Sequence, residues 1–203
     1  MPQDETHENE MIRPDANSRW VGSLYEMAEV LSSAVLCIAV LFTFLLRFAG
    51  VMGESMIPTL QDGEWLAVTA TLPQPSRGDV VIISPRANDL HKPLVKRVIA
   101  VAGDEIDLAD GRVLVNGAII DESYLPQGLE THPADDFQSS LTYPARVPAG
   151  RLFVMGDNRG NSKDSRYSGV GFLRVDDILG RVLFRVKPFF VTRPSFGFTF
   201  RVK

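Results

Sequence analysis

Ser55 lies in the run Gly53-Glu54-Ser55-Met56-Ile57-Pro58-Thr59-Leu60, a stiff, Pro-containing turn that holds a serine in a defined pose. A serine hydroxyl is a weak nucleophile and needs a base within hydrogen-bond reach. The three histidines (His7, His91 and His132) are scattered, and no His/Asp arrangement is evident. Lysine is the other base available, provided its pKa falls towards about 7–8 through burial or a nearby cation. Lys96 meets the first condition. In Leu94-Val95-Lys96-Arg97-Val98-Ile99 an extended chain puts Leu94, Lys96 and Val98 on one face and Arg97 on the other. Two aliphatic neighbours would desolvate the amine and disfavour its charged form. The same pattern also suits an edge-strand lysine that blocks aggregation.

A third polar segment, Gly156-Asp157-Asn158-Arg159-Gly160-Asn161-Ser162-Lys163-Asp164-Ser165-Arg166, follows a strand-like run from Leu152 to Met155. Such density usually means a solvated loop. Here Asp157 with Arg159 and Asp164 with Arg166 make two acid-base pairs at two-residue spacing. The expectation is a loop stiffened by internal bonds, able to support a site from behind.

These segments need a scaffold, and from Gly53 onward the pattern is β. Trp65–Val68, Asp79–Ile83 and Leu94–Val101 are short strand-like runs bounded by turn residues. Asp110-Gly111 and Asn116-Gly117 are hairpin signals. They imply a meander of Ile106–Leu108, Arg112–Val115 and Ala118–Asp121. Residues 122–148 are Pro-rich and polar and read as a long connection. Strands return at Arg151–Val154 and Ile178–Val186. The expected fold is mainly β, a sandwich or barrel of antiparallel sheets over residues 49–203.

The chain has 203 residues, which suits one domain plus a small appendage. Its net charge of -4 comes from the N-terminal part, because residues 49–203 hold as many acids as bases. No basic patch stands out, so nucleic acid is not an expected partner. Cys37, the only cysteine, lies in an apolar run, which excludes a cysteine nucleophile or a Cys zinc site in the rest. No metal or other cofactor is expected.

Residues 1–20 are acidic, without apolar periodicity, and are expected to form a disordered tail. Val30–Leu46 then runs for 17 residues without a charge, eleven of them Val, Leu, Ile or Phe. Membrane insertion of those eleven is favoured by roughly 3–6 kcal/mol. A signal peptide would have a basic start and a small-x-small cleavage site, but here the start is acidic and Arg47 interrupts that region. The expectation is a transmembrane helix over 27–48. Arg13 and Arg19 before it lean towards a cytoplasmic N-terminus.

Ser55-Met56-Ile57-Pro58-Thr59-Leu60, Gly78-Asp79-Val80-Val81, Lys96-Arg97-Val98-Ile99 with Gly103-Asp104, and Gly156-Asp157-Asn158-Arg159 through Arg166 together resemble the ordered boxes of type I signal peptidases. The resemblance covers about Ala49 to Pro188. It implies a Ser/Lys dyad, with Ser55 as nucleophile and Lys96 as general base. Ser162 matches the serine that hydrogen-bonds and orients the lysine. Asp157, Arg159, Asp164 and Arg166 match a structural salt-bridge set. The oxyanion donors would come from the Ser55 backbone and the Gly53 position, where some members carry a serine hydroxyl and this chain has none. Val51, Met56, Leu60, Leu94 and Val95 are the implied pocket walls, although each could equally be core.

The implied activity is removal of leader peptides from exported preproteins, after a small-x-small motif, by a monomer anchored in the bacterial plasma membrane. Ser55 lies nine positions after Leu46, so the serine is within roughly 30–32 Å of the charge-free run. That keeps the catalytic domain at the outer lipid surface, where a leader still in the bilayer presents its cut site. Three other readings compete. A self-cleaving Ser/Lys repressor domain would need a DNA-binding module. A catalytically dead assembly or chaperone relative should lack the serine or the lysine. A tethered β-sandwich binding module gives no reason for the polar loop.

Overall fold

The computed structural model describes residues 16–40, 42, 46–69, 74–134 and 141–186, in two units that divide between Thr43 and Phe44. Among the described residues the first unit holds one α-helix, α1, Ala16–Val40. Its stretch Trp20–Val40 is long and apolar enough to cross a membrane by length and composition. It shares residues 27–40 with the expected span of 27–48, of which residues 41 and 43–45 lie outside the described residues. The helix starts at Ala16, inside the stretch expected to be a disordered tail, because backbone i to i+4 bonding does not stop where side chains turn polar. Residues 1–15 lie outside the described residues. At the other end, Arg47 and Phe48 are not helical but open the first strand of the second unit.

That unit is built from β1 (Arg47–Gly50), β2 (Trp65–Thr69), β3 (Val80–Ile83), β4 (Leu94–Val101), β5 (Glu105–Ala109), β6 (Arg112–Val115), β7 (Ala118–Ile119), β8 (Ala145–Arg146), β9 (Arg151–Met155), β10 (Leu173–Arg174) and β11 (Ile178–Val186). They form a seven-stranded sheet in the order β1-β2-β11-β3-β4-β9-β10 and a four-stranded sheet in the order β7-β6-β5-β8. Every one of these pairings is antiparallel. The mainly β fold and most strand positions agree with the sequence pattern. β1, β8 and β10 carried no such signal: each is short and gains its backbone partners only by lying against a stronger strand.

Period-2 alternation explains how the larger sheet buries both faces. In β3, Val81 and Ile83 enter a cluster with Val98, Leu152, Val154, Leu173 and Ile178. Ile82, pointing the other way, joins Val51, Met56, Leu60, Leu66 and Val68, with Val80 packed beside them. A third cluster joins the two sheets: Ile99, Ala100, Phe153 and Met155 meet Ile106, Leu108, Val113 and Val115. The two hairpin signals are realised as tight turns, with φ of 51° at Asp110 and 55° at Asn116, each followed by a glycine.

Candidate active site

The turn carrying Ser55 is held from below. Met56 and Leu60 are 1% and 4% exposed and sit in the cluster with Val51. Each such side chain contributes about 1.5–3 kcal/mol on burial. The turn closes on itself, with Ile57 N–H donating to Glu54 O and Leu60 N–H to Met56 O. Gly53 enters it at φ +92°, a conformation suited to glycine, and donates its N–H to Asp62 Oδ1 at 2.8 Å. Gly53 thus brings no side chain, and its amide is already engaged, contrary to its expected place among the oxyanion donors.

Lys96 projects from β4 and is 1% exposed. Its Nζ donates to Ser55 Oγ at 2.6 Å. Burial is the main influence on this amine and lowers its pKa to about 8; Asp164 opposes the shift, Arg166 adds to it, and Asp157 opposes it. The serine and lysine, 41 positions apart in the chain, are thus in direct contact, with the amine poised near the range a base needs.

Behind the pair lies the loop from Gly156 to Arg166. Asp164 and Arg166 pair as the spacing implied, through Nε to Oδ1 at 2.8 Å and Nη2 to Oδ2 at 2.9 Å. Asp157 does not pair with Arg159. Its carboxylate takes Arg97 Nε at 2.9 Å and Nη2 at 2.7 Å, and also accepts from the Thr59 hydroxyl. The chain turns tightly at this point, with Arg159 N–H bonded to Asp157 O, so the Arg159 side chain leaves in another direction. It donates to Gly156 O, Thr131 Oγ1 and the Glu122 carboxylate. Arg97, expected on the face away from the site, is instead buried beside it.

The loop grips the serine turn directly: Asn158 N–H donates to Ser55 O at 3.0 Å and its side-chain amide to Glu54 O at 3.1 Å. Ser162 does not make the expected bond to Lys96, and its hydroxyl is buried without a hydrogen-bond partner. It packs against Gly156 instead, so closely that a Cβ there would lie 2.2 Å from Ser162 Oγ and 2.4 Å from Ser55 O.

Ser55 and Lys96 open onto a cleft of about 540 Å³, walled by Met52, Glu54, Asp62, Leu90 and Leu94 among others. Of the five expected pocket residues only Leu94 lines this cleft. Val51, Met56 and Leu60 belong to the core beneath the turn, and Val95 packs against that core, because alternation along the strand turns it away from Leu94. Among the described residues no group of His, Cys, Asp or Glu is placed to hold a metal ion. The sequence reading passed over Thr59, Arg97 as partner of Asp157, and Glu122, Tyr124 and Thr131. The one available signal was the buried-strand context of Arg97, which demands an acid.

Comparison with known proteins bears on this arrangement. Residues 24–187 match the family described as "Signal peptidase, peptidase S26". Signal peptidase I T of Bacillus subtilis (strain 168) is 38% identical over 170 residues, which span 81% of this chain and 86% of that protein. Signal peptidase IB of Staphylococcus aureus (strain Mu50 / ATCC 700699) is 34% identical over 190 residues, spanning 85% of this chain and 95% of that protein. A crystal structure of a signal peptidase I from Enterococcus faecalis V583 is 28% identical with a TM-score of 0.44, covering 55% of this chain and 98% of that one. Since the family match runs from within the apolar helix through the whole described β unit, the chain belongs to the signal peptidase family, peptidase S26, and is a serine peptidase of the type I signal peptidase kind.

Proposed function

We propose that this signal peptidase works through a Ser55/Lys96 dyad, held at the outer surface of the plasma membrane by α1, and cuts preproteins after a small-x-small motif. The observation that carries this reading is the 2.6 Å contact between Lys96 Nζ and Ser55 Oγ, made by an amine that is almost fully buried. The neutral Lys96 amine takes the Ser55 hydroxyl proton as Oγ bonds to the scissile carbonyl carbon, and the carbonyl π pair moves to oxygen. Among the described residues the Ser55 N–H has no hydrogen-bond partner, which leaves it available to donate to that oxyanion. As the C–N bond breaks, its electron pair leaves with the amine of the mature chain, which receives the proton from Lys96. Water, giving a proton to Lys96, then attacks the acyl ester, and Ser55 regains its proton as the leader departs.

The cleft supports an extended substrate, because Ser55 and Lys96 line it together with Met52, Glu54, Leu90 and Leu94, so a chain laid along it would pass the dyad. The length and composition of Trp20–Val40 support the anchor, and Arg13 and Arg19 support an N-terminus inside the cell. The full chain, purified in detergent, should cleave a preprotein after a small-x-small motif, with Ser55→Ala and Lys96→Ala each inactive. Undiminished cleavage by Lys96→Ala would end the dyad reading.

A further inference from the structure

The segment that follows β7 reaches both arginines that flank the dyad. Arg159, whose side chain is 1% exposed, is paired with the carboxylate of Glu122. Its Nη1 also donates to Thr131 Oγ1 at 2.6 Å, and its Nη2 to the Tyr124 hydroxyl at 3.3 Å. Tyr124 OH in turn donates to Glu122 Oε1 at 2.9 Å. The ring of Tyr124 lies under the other arginine, with the Arg97 guanidinium carbon 3.9 Å from its centroid. Arg97 is the residue next to the base and clamps Asp157. Arg159 Nε holds Gly156 O at 3.1 Å, in the loop whose Asn158 N–H holds the carbonyl of Ser55. One short stretch, residues 122–131, therefore touches the supports of the base and of the nucleophile together.

Charge makes the contact consequential. Asp157 is taken by Arg97 and Asp164 by Arg166, so Glu122 is the acid that compensates Arg159. A buried guanidinium left without its acid is strongly unfavourable. It relieves this by moving towards water or towards Asp157 or Asp164, and either move displaces the loop that grips Ser55. None of Glu122, Tyr124 and Thr131 lines the cleft.

We propose that Glu122, Tyr124 and Thr131 form a strap that positions the dyad, so that loosening it slows the chemical step and spares substrate binding. The inference rests on the Ser55/Lys96 reading and adds positioning residues to it. Steady-state cleavage of a preprotein by the full chain in detergent tests it, with thermal unfolding measured on the same samples. Glu122→Gln should lower kcat by about 10- to 100-fold, the scale of a small misplacement of reacting groups, with KM within about twofold. Thr131→Val should lower kcat in the same way, and Thr131→Ser, which keeps the hydroxyl, should restore it.

A merely structural strap would lower the melting temperature and leave kcat per folded molecule unchanged, and that result overturns the proposal. Should Glu122→Gln not fold, Tyr124→Phe decides on the same criterion, since it removes only the hydroxyl. Ser55→Ala runs alongside. Cleavage by Ser55→Ala overturns the dyad reading and this one with it, whereas an inactive Ser55→Ala beside a fully active Glu122→Gln overturns the strap alone.

Discussion

The guanidinium of Arg97 grips the carboxylate of Asp157 with two hydrogen bonds, at 2.9 and 2.7 Å, and so ties the strand that carries Lys96 to the loop that holds Ser55. Thr59, in the serine turn itself, donates to the same carboxylate. Asp157 is thus the point where the Ser55 turn, the Lys96 strand and the supporting loop meet, and it is fully buried.

Breaking that pair by one partner should be costly. Asp157→Ala leaves a buried cation uncompensated and should destabilise the protein by about 3–5 kcal/mol. Arg97→Met should cost a similar amount. The double variant Arg97→Met/Asp157→Ala should cost clearly less than the sum, as expected for coupled groups. Thermal unfolding of the four proteins completes the cycle, and a strictly additive double variant would show that the two residues act independently.

Activity and stability should both depend on pH through Lys96. Its pKa in the fold is about 8 against an ordinary 10.5, so the neutral amine is the form the folded state favours. Cleavage should rise as pH passes through about 8, because only the neutral amine can take the serine proton. Stability should also rise with pH between about 8 and 10.5, since in that window the unfolded chain binds the proton that the folded chain has released. The full gain is on the order of 3 kcal/mol. It is complete above the unfolded pKa and absent below the folded one. Lys96→Met should remove this component of the stability profile; an unaltered slope would assign it to other groups.

Two glycines of the supporting loop should behave differently. In Gly156→Ala the new methyl would lie 2.2 Å from Ser162 Oγ and 2.4 Å from the carbonyl oxygen of Ser55, so the nucleophile turn must shift. Activity should fall by about 10- to 100-fold, with about 1–3 kcal/mol of overpacking. At Gly160 a methyl meets nothing within 4 Å, and Gly160→Ala should leave cleavage unchanged. Equal losses at both positions would refute the steric argument.

The strands were legible where local chemistry sufficed. Val80-Val81-Ile82-Ile83 feeds clusters on both sides of its sheet, and Asp110-Gly111 and Asn116-Gly117 supply the positive-φ turns that close the small meander. Arg47–Gly50 was not legible. Alone it reads as one charge and three small or apolar residues after an apolar run, and it becomes a strand only because Trp65–Val68 offers it a ladder. The helical start at Ala16 was not legible for a related reason, since hydropathy marks where a helix can sit in lipid and not where its backbone bonds begin.

The site divides in the same way. Ser55, Lys96 and the Asp164–Arg166 pair could be named from short windows, because a turn, a strand face and a two-residue spacing are local properties. The partners of Asp157 and Arg159 could not be named in this way. Arg97 lies 60 positions before Asp157, and Glu122 lies 37 before Arg159. The bulge in β4 between Val98 and Ala100, and the return of the chain through β9, decide which charges meet. For the same reason Val51, Met56 and Leu60 went to the core and Leu94 to the cleft wall: apolar character is written in the residue, but the side of the wall it faces is set by sheet register and by what packs behind it. By itself the sequence determined the candidate reacting groups and the period-2 pattern of their scaffold. Only the tertiary structure decided which buried charges neutralise one another, because an isolated charge in the interior is too costly to stand and its partner must come from wherever the fold brings one.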